Sequence, residues 1–473
     1  MHRDSDWSAV HVVVAGIGVA GFACADALCQ LGARVTVTDS ASGEAQQRRA
    51  EILELIGATV ILGAGDELPA GADLLVVSPG LRPDAPLVVA AQRRQVPVWG
   101  ELELAWRLRP AVDPAPWLLV TGTNGKTTTT LMLESMLRAA GRRTVAAGNI
   151  GRSLVDTVMH DDVEVIAVEV GAPQLPFLHT VSPLGAACLN VAADHVDHFG
   201  SWQAYVAAKG QVYARTQLAC VYNADEPLTE ELVRAADVVD GARAVGFTLG
   251  VPDVGMLGVV DGLLVDRAFG PDRHRAAQQL AEVGDVVPAA AHNVANALAA
   301  AALARAYGVP AAAVRDGLRS FTPAGHRIAE VAVVGGVRYV DDSKATNAHA
   351  AQTSLAAYRP VVWIAGGMAK GQAFDELVAA AAAGLRGAVL LGVDREVLAA
   401  ALARHAPEVP VVEVSRTDTD AMDDVVRAAA ALAQPGDTVL LAPGCASWDM
   451  FRDYAHRGDE FAAAVRRLSG APS

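Results

Sequence analysis

The segment Thr121–Thr130 has the residue types of a phosphate-binding loop. It joins an apolar run suited to a strand, Trp117–Val120, to a stretch with a helical pattern. Successive backbone N–H groups in such a turn, with a helix N-terminus behind them, bind phosphate oxygens. Lys126 is suited to the β- and γ-phosphates of a nucleotide, and the Thr127 hydroxyl to Mg²⁺. The common loop has a glycine six residues before its lysine; this chain has Val120 there, which predicts a tighter loop.

A second glycine-rich turn follows the first predicted strand. Gly16, Gly18 and Gly21 form the spacing G-x-G-x-x-G, and Asp39 ends the next predicted strand. In this fingerprint the backbone approaches a diphosphate and the acidic residue binds a ribose. A nicotinamide dinucleotide and a nucleotide sugar such as a UDP derivative both meet these requirements. A tight turn without a ligand is a third interpretation.

Other polar residues of the middle third follow predicted strands. Glu169 closes the apolar strand Val163–Val170, where a carboxylate is either a candidate Mg²⁺ ligand or a solvated strand-end acid. The segment Asn190–Phe199 concentrates acidic residues and histidines, and a helix cap is the alternative explanation for its aspartates. Lys209 lies four residues after Tyr205, and spacing alone makes it a lysine on the surface of a helix.

Two asparagines and three loop clusters complete the set of candidates. Asn293 and Asn296 share a face of a predicted helix, which favours a polar role such as binding adenine or ribose, although a cap would explain one of them. In the last third, three polar clusters each follow a predicted strand, where one crevice can collect them. Each cluster alone is an ordinary loop, and together they predict a site for a small polar substrate. The clusters are Asp342–Asn347, Lys370 and Cys445–Trp448.

Composition excludes several classes of function. The net charge of −15 argues against a nucleic-acid partner, which requires a basic face. Five scattered cysteines without C-x-x-C spacing indicate a reducing compartment and neither a disulfide scaffold nor a zinc site. The N-terminus lacks a signal core, and no apolar run reaches the roughly 18 residues of a membrane span. We therefore expect a soluble cytoplasmic protein without membrane insertion.

Strand and helix patterns alternate along the chain, which predicts an α/β fold. At 473 residues the chain is long enough for about three domains. The proline-rich stretch Arg109–Pro116 is the best candidate for the first linker, and Ser320–Gly325 for the second. The expected domains are a Rossmann-like domain at residues 1–112, a P-loop domain at 113–321 and a second Rossmann-like domain at 322–473.

The ordered motifs resemble those of the Mur ligases of peptidoglycan synthesis, and the resemblance covers essentially the whole chain. The motifs are TGTNGKTT, GNIG at Gly148–Gly151, DHVDH, YxxxK, HNxxN, DDSKATN and APGCASWDMF. Within that family the resemblance is to members that add D-glutamate to UDP-N-acetylmuramoyl-L-alanine. It implies an N-terminal domain for the UDP group, a central ATPase domain and a C-terminal domain for the amino acid. We also expect the protein to be a monomer. The implied reaction forms an amide through an acyl phosphate and a tetrahedral intermediate, and releases ADP and phosphate.

The resemblance also implies roles for individual residues. Thr127 and Glu169 would ligate one of two Mg²⁺ ions, and His195 and a carbamylated Lys209 the other. The implied catalytic residues are Lys126, Glu169, His195 and Lys209. Contacts to ATP are expected from Gly122, Thr123, Asn124, Gly125, Lys126, Thr127, Thr128, Asn293, Asn296, Arg327 and Asp342. Contacts to the UDP substrate or the amino acid are expected from Gly18, Val19, Ala20, Asp39, Ser40, Ser78, Gly80, Asn149, Gln174, Lys344, Thr346, Lys370, Ser447, Trp448 and Tyr454.

The chain departs from the family pattern in three places. A motif close to Glu-Leu-Ser-Ser-Phe-Gln-Leu is expected at Glu169, and this chain has Glu-Val-Gly-Ala-Pro-Gln-Leu. Trp448 stands where a leucine is expected, and GGMAKG replaces a more acidic loop. Two alternatives remain at this level. One is a sister Mur ligase or a folylpolyglutamate-synthetase-like ligase with another acceptor, and the other, from a different class, is a nicotinamide-dependent dehydrogenase.

Overall fold

A computed structural model describes residues 1–64, 67–194, 196–270, 272–323 and 325–469. The chain divides into two compact units, Met1–Thr322 and a second that begins at Pro323. The first unit contains two β-sheets and the second contains one. The predicted α/β class is therefore confirmed. The boundaries of the three domains stay a prediction, although each sheet lies within one of the expected ranges.

The first sheet forms from five short apolar strands that alternate with helices. Its strands are β1 (His11–Ala15), β2 (Arg34–Asp39), β3 (Thr59–Leu62), β4 (Leu74–Val77) and β5 (Val98–Gly100), and its helices are α1 (Val19–Gln30), α2 (Glu44–Leu55), α3 (Pro86–Arg93) and α4 (Glu101–Arg107). All strands are parallel, in the order β3-β2-β1-β4-β5. Every residue of β1 is buried, as expected where helices cover both faces of a parallel sheet. The carboxyl ends of β1, β2 and β4 therefore lie side by side.

The second sheet has nine strands in the order β14-β13-β12-β11-β10-β9-β6-β8-β7. Strands β6 to β12 pair in parallel, and β12, β13 and β14 pair antiparallel. The strands are β6 (Trp117–Thr121), β7 (Thr144–Gly148), β8 (Val165–Glu169), β9 (Gly185–Cys188), β10 (Ala219–Asn223), β11 (Arg243–Phe247), β12 (Met256–Val260), β13 (Leu263–Asp266) and β14 (Gln278–Glu282). The helices are α5 (Lys126–Ala139), α6 (Leu154–His160), α7 (Val196–Phe199), α8 (Trp202–Gly210), α9 (Pro227–Arg234), α10 (Ala291–Tyr307) and α11 (Ala311–Ser320), with short 3₁₀ turns at Ala172–Phe177, Gln211–Tyr213 and Val283–Asp285.

The second unit has a six-stranded sheet in the order β15-β16-β20-β17-β18-β19. Its strands are β15 (Ala329–Val334), β16 (Val337–Asp341), β17 (Val361–Gly366), β18 (Leu385–Leu391), β19 (Val411–Glu413) and β20 (Thr438–Leu441). Its helices are α12 (Ala348–Ala356), α13 (Asp375–Ala381), α14 (Arg395–His405), α15 (Ala421–Leu432) and α16 (Tyr454–Ser469), with a 3₁₀ turn at Ala382–Gly384. Only β15 is antiparallel to its neighbour. Among the described helices, none is long and apolar enough to span a membrane.

Two buried carboxylates fix helix α4 between the first two sheets. Glu101 Oε1 accepts hydrogen bonds of 2.9 Å from the Ser153 hydroxyl and from the backbone N–H of Leu154, at the start of α6. Glu103 accepts from the Arg107 guanidinium at 2.7 Å and from both the N–H and the hydroxyl of Thr180, at 2.9 and 2.6 Å. Since each carboxylate bonds residues beyond Pro116, α4 is held to the second sheet by charge-assisted hydrogen bonds as well as by apolar packing.

Replacing Glu103 by alanine is expected to lower the free energy of unfolding by about 3 kcal/mol, because it leaves the Arg107 guanidinium and buried N–H groups without an acceptor. Glu103→Gln keeps the shape and removes only the charge, so its loss should be smaller. Thermal or urea unfolding of the whole chain measures both. Equal stability of wild type and Glu103→Ala would contradict the role of this carboxylate.

Wild type and Glu103→Gln also test how the free energy of unfolding depends on pH. Burial opposes ionisation of Glu103, but hydrogen bonds from Thr180 and His179 and the pair with Arg107 outweigh it and hold its pKa below the usual value. The stabilisation is therefore present above the unfolded pKa of about 4.3 and is lost as the pH falls through the lower folded pKa. The stability difference between wild type and Glu103→Gln should shrink in that acidic range.

Candidate active site

The phosphate loop joins β6 to α5, as the sequence predicts. Gly125 precedes the helix with φ +84°, a left-handed conformation that favours glycine, and a Cβ there would overlap the Asn296 side-chain oxygen. Lys126 Nζ donates to the carbonyl oxygens of Gly122 at 2.9 Å and Thr123 at 2.8 Å. The ammonium thus lies over the loop, where phosphate oxygens would meet it. Thr127 and Thr128 occupy the next positions of the first turn of α5.

Asn190 holds the loop in shape, and sequence reasoning did not single it out. It follows β9, the neighbour of β6 in the sheet. Its Oδ1 accepts from the Asn124 N–H at 2.9 Å, and its Nδ2 donates to the Asn124 carbonyl at 3.2 Å. Its own carbonyl accepts from the Thr123 N–H at 3.1 Å. The only sequence signal was its position directly after an apolar strand, because its partner belongs to a segment 66 residues away.

Glu169 ends β8, on the other side of β6. Its carboxylate is 2% exposed, and Oε1 accepts from Asn149 Nδ2 at 2.8 Å. Gln174 lies close by, and its Oε1 accepts from the Gly171 N–H at 2.8 Å. Among the described residues, neither Glu169 Oε2 nor Gln174 Nε2 has a hydrogen-bond partner, although both atoms are buried. A buried carboxylate oxygen without a partner is costly, so this atom is available to a cation or a ligand donor.

The departure from the expected motif has a local explanation at Gly171. A Cβ at this position would lie 3.1 Å from the Asn149 side-chain oxygen. A serine, which the family pattern leads us to expect, would therefore need Asn149 to move. The glycine allows Asn149 and Gln174 to approach each other beside Glu169.

Lys209 is a buried lysine beside the phosphate loop, although its spacing alone predicted a helix-surface position. Tyr205 and Lys209 share one face of α8, and Lys209 is 1% exposed. Its Nζ donates to the Gly122 carbonyl at 2.7 Å and to the Thr121 hydroxyl at 3.3 Å. Burial, and secondly the positive charge of Lys126, lower the pKa of Lys209 to about 7. The amine is therefore partly neutral near neutral pH.

Two further predictions concern the central region: the structure describes the predicted asparagine pair but not the predicted histidine. Asn293 and Asn296 do lie together on α10, with Asn296 Nδ2 donating to Asn293 Oδ1 at 3.4 Å, and Asn296 also reaches Gly125 of the loop. His195 lies outside the described residues. The described residues contain no group of three or more His, Cys, Asp or Glu side chains able to hold a metal ion.

The G-x-G-x-x-G turn borders a cavity of about 300 Å³ at the end of β1. Both carboxylate oxygens of Asp39 accept backbone N–H bonds of 2.8 Å, from Ile17 and Ala41, so Asp39 fixes the shape of the turn. A Cβ on Gly21 would overlap the Gly16 carbonyl, which is the close packing that the third glycine of the fingerprint allows. Of the predicted UDP contacts, Val19 and Ala20 start α1, whereas the cavity is lined by Gly18, Asp39, Ser40, Ser78 and Gly80.

The three clusters of the second unit do meet, because β16, β20 and β17 are neighbours in its sheet. The Gly444 N–H donates to the Ala345 carbonyl at 2.9 Å, and Met368 and Ala446 exchange backbone bonds of 2.9 and 3.0 Å. Around these links the structure brings together predicted amino-acid contacts. These are Lys344, whose Nζ is 3.7 Å from the centroid of the Tyr454 ring; Lys370, whose Nζ is 4.1 Å from that of Trp448; Thr346; and the buried Ser447.

Arg457 also organises this unit, and sequence reasoning missed it. It is a buried arginine on α16 whose guanidinium donates to the Ser343 hydroxyl at 2.9 Å, to the Ser343 carbonyl at 2.8 Å and to the Cys445 carbonyl at 3.1 Å. It therefore ties two of the loops to one helix. No spacing pattern could reveal this, because nothing in the sequence tells a buried arginine from the many exposed ones.

The predicted ATP contacts Arg327 and Asp342 belong to the second unit, whereas Asn293 and Asn296 belong to the first. Burial raises the pKa of Asp342 to about 7, against a short hydrogen bond from Ser354 and the charge of Arg327. The individual roles of all these residues stay predictions.

A contracted phosphate loop after an interior strand that pairs in parallel with both its neighbours, flanked by a buried carboxylate and a buried lysine, defines the class of the ATP-dependent P-loop ligases. Three family matches make the assignment specific. The MurD-like N-terminal domain of Mur ligases matches residues 10–100, the Mur ligase middle domain 120–304 and the Mur ligase glutamate ligase domain 326–445. The chain belongs to the Mur ligase family.

Relatives of known name support this assignment over nearly the full length. The chain is 60% identical to the UDP-N-acetylmuramoylalanine–D-glutamate ligase of Streptomyces coelicolor, over 98% of this chain and 99% of that protein. It is 54% identical to the ligase of the same name from Thermobifida fusca, over 97% and 98%. The resemblance drawn from the motifs is thereby confirmed. The dehydrogenase alternative is wrong, since the G-x-G-x-x-G turn itself lies in the MurD-like domain.

Solved structures share the fold at low sequence identity. The UDP-N-acetylmuramate-alanine ligase MurC of Thermotoga maritima has a TM-score of 0.57 at 19% identity, covering 97% of this chain and 99% of that one. A bifunctional folylpolyglutamate synthase/dihydrofolate synthase has a TM-score of 0.53 at 19% identity, covering 74% and 89%. These two similarities concern the fold alone.

Asn190 offers a test of how the loop is held. Asn190→Ala removes both side-chain bonds to Asn124 and is expected to weaken ATP binding about tenfold, equivalent to about 1.4 kcal/mol. Asn190→Asp keeps the acceptor and loses the donor, so its loss should be intermediate. Calorimetric titration with ATP measures both, and unchanged affinity in Asn190→Ala would contradict the positioning role.

Proposed function

We propose that this chain joins D-glutamate to the L-alanyl carboxylate of UDP-N-acetylmuramoyl-L-alanine, with conversion of ATP to ADP and phosphate. The observation that carries the proposal is the contracted loop around Lys126, with Glu169 and Lys209 buried beside it. The ligases of this name at 54–60% identity make D-glutamate the expected acceptor. The reaction serves peptidoglycan synthesis.

The chemistry follows from the weakness of a carboxylate as an acyl donor. Transfer of the γ-phosphate of ATP to the L-alanyl carboxylate gives an acyl phosphate, which has a good leaving group. The amine of D-glutamate then attacks the acyl carbon, and the tetrahedral intermediate expels phosphate to leave an amide. Lys126 offsets the repulsion between the carboxylate and the triphosphate. The ammonium groups of Lys344 and Lys370 and the hydroxyl of Ser447 suit an acidic amino acid.

The residues beside the loop fit a divalent cation. Glu169 Oε2 is buried without a hydrogen-bond partner among the described residues, and the Thr127 hydroxyl belongs to the first turn of α5. Carboxylate and hydroxyl oxygens are the ligands that Mg²⁺ prefers. When bound, Mg²⁺ would supply positive charge against the phosphates and the reacting carboxylate. We propose Thr127 and Glu169 for one ion, and His195 with a modified Lys209 for a second.

Carbamylation of Lys209 is the proposed modification. The ammonium first loses one proton; the neutral amine then attacks CO₂, a C–N bond forms as one C=O π bond opens, and the nitrogen releases a second proton, so that a cation becomes a carbamate anion. Support comes from the burial of Lys209 and from the lowering of its pKa to about 7, which leaves far more of the amine unprotonated at neutral pH than in an ordinary lysine. With the pKa of an ordinary lysine, almost none would be neutral. We further propose that the enzyme is cytoplasmic, because ATP and UDP-linked precursors are cytoplasmic compounds. The monomeric state stays a prediction.

Phosphate release tests the reaction directly. The purified chain should release phosphate from ATP only when UDP-N-acetylmuramoyl-L-alanine and D-glutamate are both present, in a panel that includes L-alanine, L-glutamate and a diamino acid. Lys126→Ala should lose this release, with an unchanged circular dichroism spectrum as the control for folding. Turnover with UDP-N-acetylmuramate and L-alanine, and none with D-glutamate, would overturn the assignment.

Lys209 can be tested by chemical rescue. Lys209→Ala is expected to lose at least about 100-fold in kcat, and an added short carboxylate such as acetate should restore part of it. Lys209→Arg keeps a positive charge but forms no carbamate, so it should be inactive and not rescued. Activity of wild type in CO₂-depleted buffer should fall as the pH drops below about 7, because protonation removes the nucleophilic amine. Full activity of Lys209→Ala would refute the carbamate.

A further inference from the structure

The chain uses lysine very sparingly. It has 4 lysines and 34 arginines among its 38 basic residues. Arginines make surface ion pairs, for example Arg234 with Glu230. Because a guanidinium can replace an ammonium where only charge is needed, the few lysines of this chain are candidates for roles that use a compact ammonium or its amine. The four are Lys126, Lys209, Lys344 and Lys370, and all belong to the predicted sites.

Lys370 combines an exposed ammonium with an aromatic partner. Its Nζ lies 4.1 Å from the centroid of the Trp448 ring, within the range of a cation–π interaction. The Trp448 side chain is 63% exposed, so it contributes little to the core. An aromatic face attracts the ammonium without neutralising it. A carboxylate neighbour would instead compete with an anionic ligand for the same charge.

The backbone beneath this pair is held firmly. Lys370 has φ +51°, a left-handed conformation that a residue with a side chain keeps only when its surroundings enforce it. The Ala369 N–H donates to Asp394 Oδ2 at 2.7 Å, and Met368 pairs with Ala446 two residues before Trp448. The Lys370 Cα is therefore fixed, and the flexible part that remains is its four-carbon side chain.

We propose that Trp448 is a positioning residue that orients the Lys370 ammonium for the side-chain carboxylate of the incoming acidic amino acid. The ring restricts the lysine side chain before the ligand arrives, so less conformational freedom is lost on binding. It acts through Lys370 and not through contact with the amino acid. A leucine, the residue expected at this place in the family, has no π face for this purpose. The inference rests on the proposed function, which supplies the acidic acceptor.

Steady-state kinetics give the first test. Trp448→Leu should raise the KM for D-glutamate about two- to fivefold, the range of an exposed cation–π contact, with a smaller effect on kcat. Trp448→Phe keeps an aromatic face and should lie closer to wild type. A KM in Trp448→Leu equal to that of wild type, or equal losses in the two variants, would overturn the proposal.

Nuclear magnetic resonance tests the contact itself, independently of catalysis. Lysine labelled with ¹³C at the ε position gives four signals in this chain, and Lys370→Arg identifies one of them. The Lys370 signal should be shifted upfield by the Trp448 ring, and Trp448→Leu should remove that shift while the other three signals stay in place. An unshifted Lys370 signal in wild type would refute the contact.

A double mutant separates positioning from direct binding. If Trp448 acts through Lys370, Lys370→Met and Lys370→Met/Trp448→Leu should have the same KM for D-glutamate, or the same affinity where turnover is too slow. A further loss in the double mutant would show direct contact with the amino acid and overturn the proposal. A wild-type enzyme without D-glutamate-dependent phosphate release would instead overturn the proposed function, whereas the labelled lysine still reports on the ring contact.

Discussion

The first unit depends on one geometric constraint: the carboxyl ends of neighbouring parallel strands meet at one edge of a sheet. Strand β6 lies between β9 and β8, so the phosphate loop, Asn190 and Glu169 must share that edge. Helix α8 then brings Lys209 against the loop backbone. Residues up to 88 positions apart thereby form one site, and the apolar strands that carry them are buried because helices cover the sheet.

The buried charged groups at this edge of the sheet lower the stability of the fold. Lys209 is almost fully buried beside a second lysine, and Glu169 Oε2 is buried without a protein donor among the described residues. Taking such groups out of water costs free energy that their present partners return only in part. Strained or unsatisfied groups of this kind collect at functional sites. Both groups make sense if cations and phosphates complete the site, which is the function that we propose for them.

The same geometric constraint arranges the loops of the second unit. The order β16-β20-β17 puts three polar loops side by side, and backbone bonds at Gly444 and Ala446 join them. Arg457 donates hydrogen bonds to two of these loops. The half-buried Lys344 ammonium lies over the Tyr454 ring, and the exposed Lys370 ammonium lies over the Trp448 ring. A rigid frame with two oriented positive charges suits an amino acid that has two carboxylates.

The sequence by itself determined the family, the α/β class, the phosphate loop and the strand-end clusters, because these depend on local patterns: apolar runs, glycine spacing and the residues that directly follow strands. It could not assign Asn190 or Arg457, and the spacing of Lys209 alone predicted a helix surface, although the family resemblance gave this lysine a catalytic role. Burial and pairing of these side chains depend on which strands become neighbours, and that is a property of the folded sheet. Only the tertiary structure therefore showed the lysine whose surroundings lower its pKa to about 7, and the ring beneath the Lys370 ammonium.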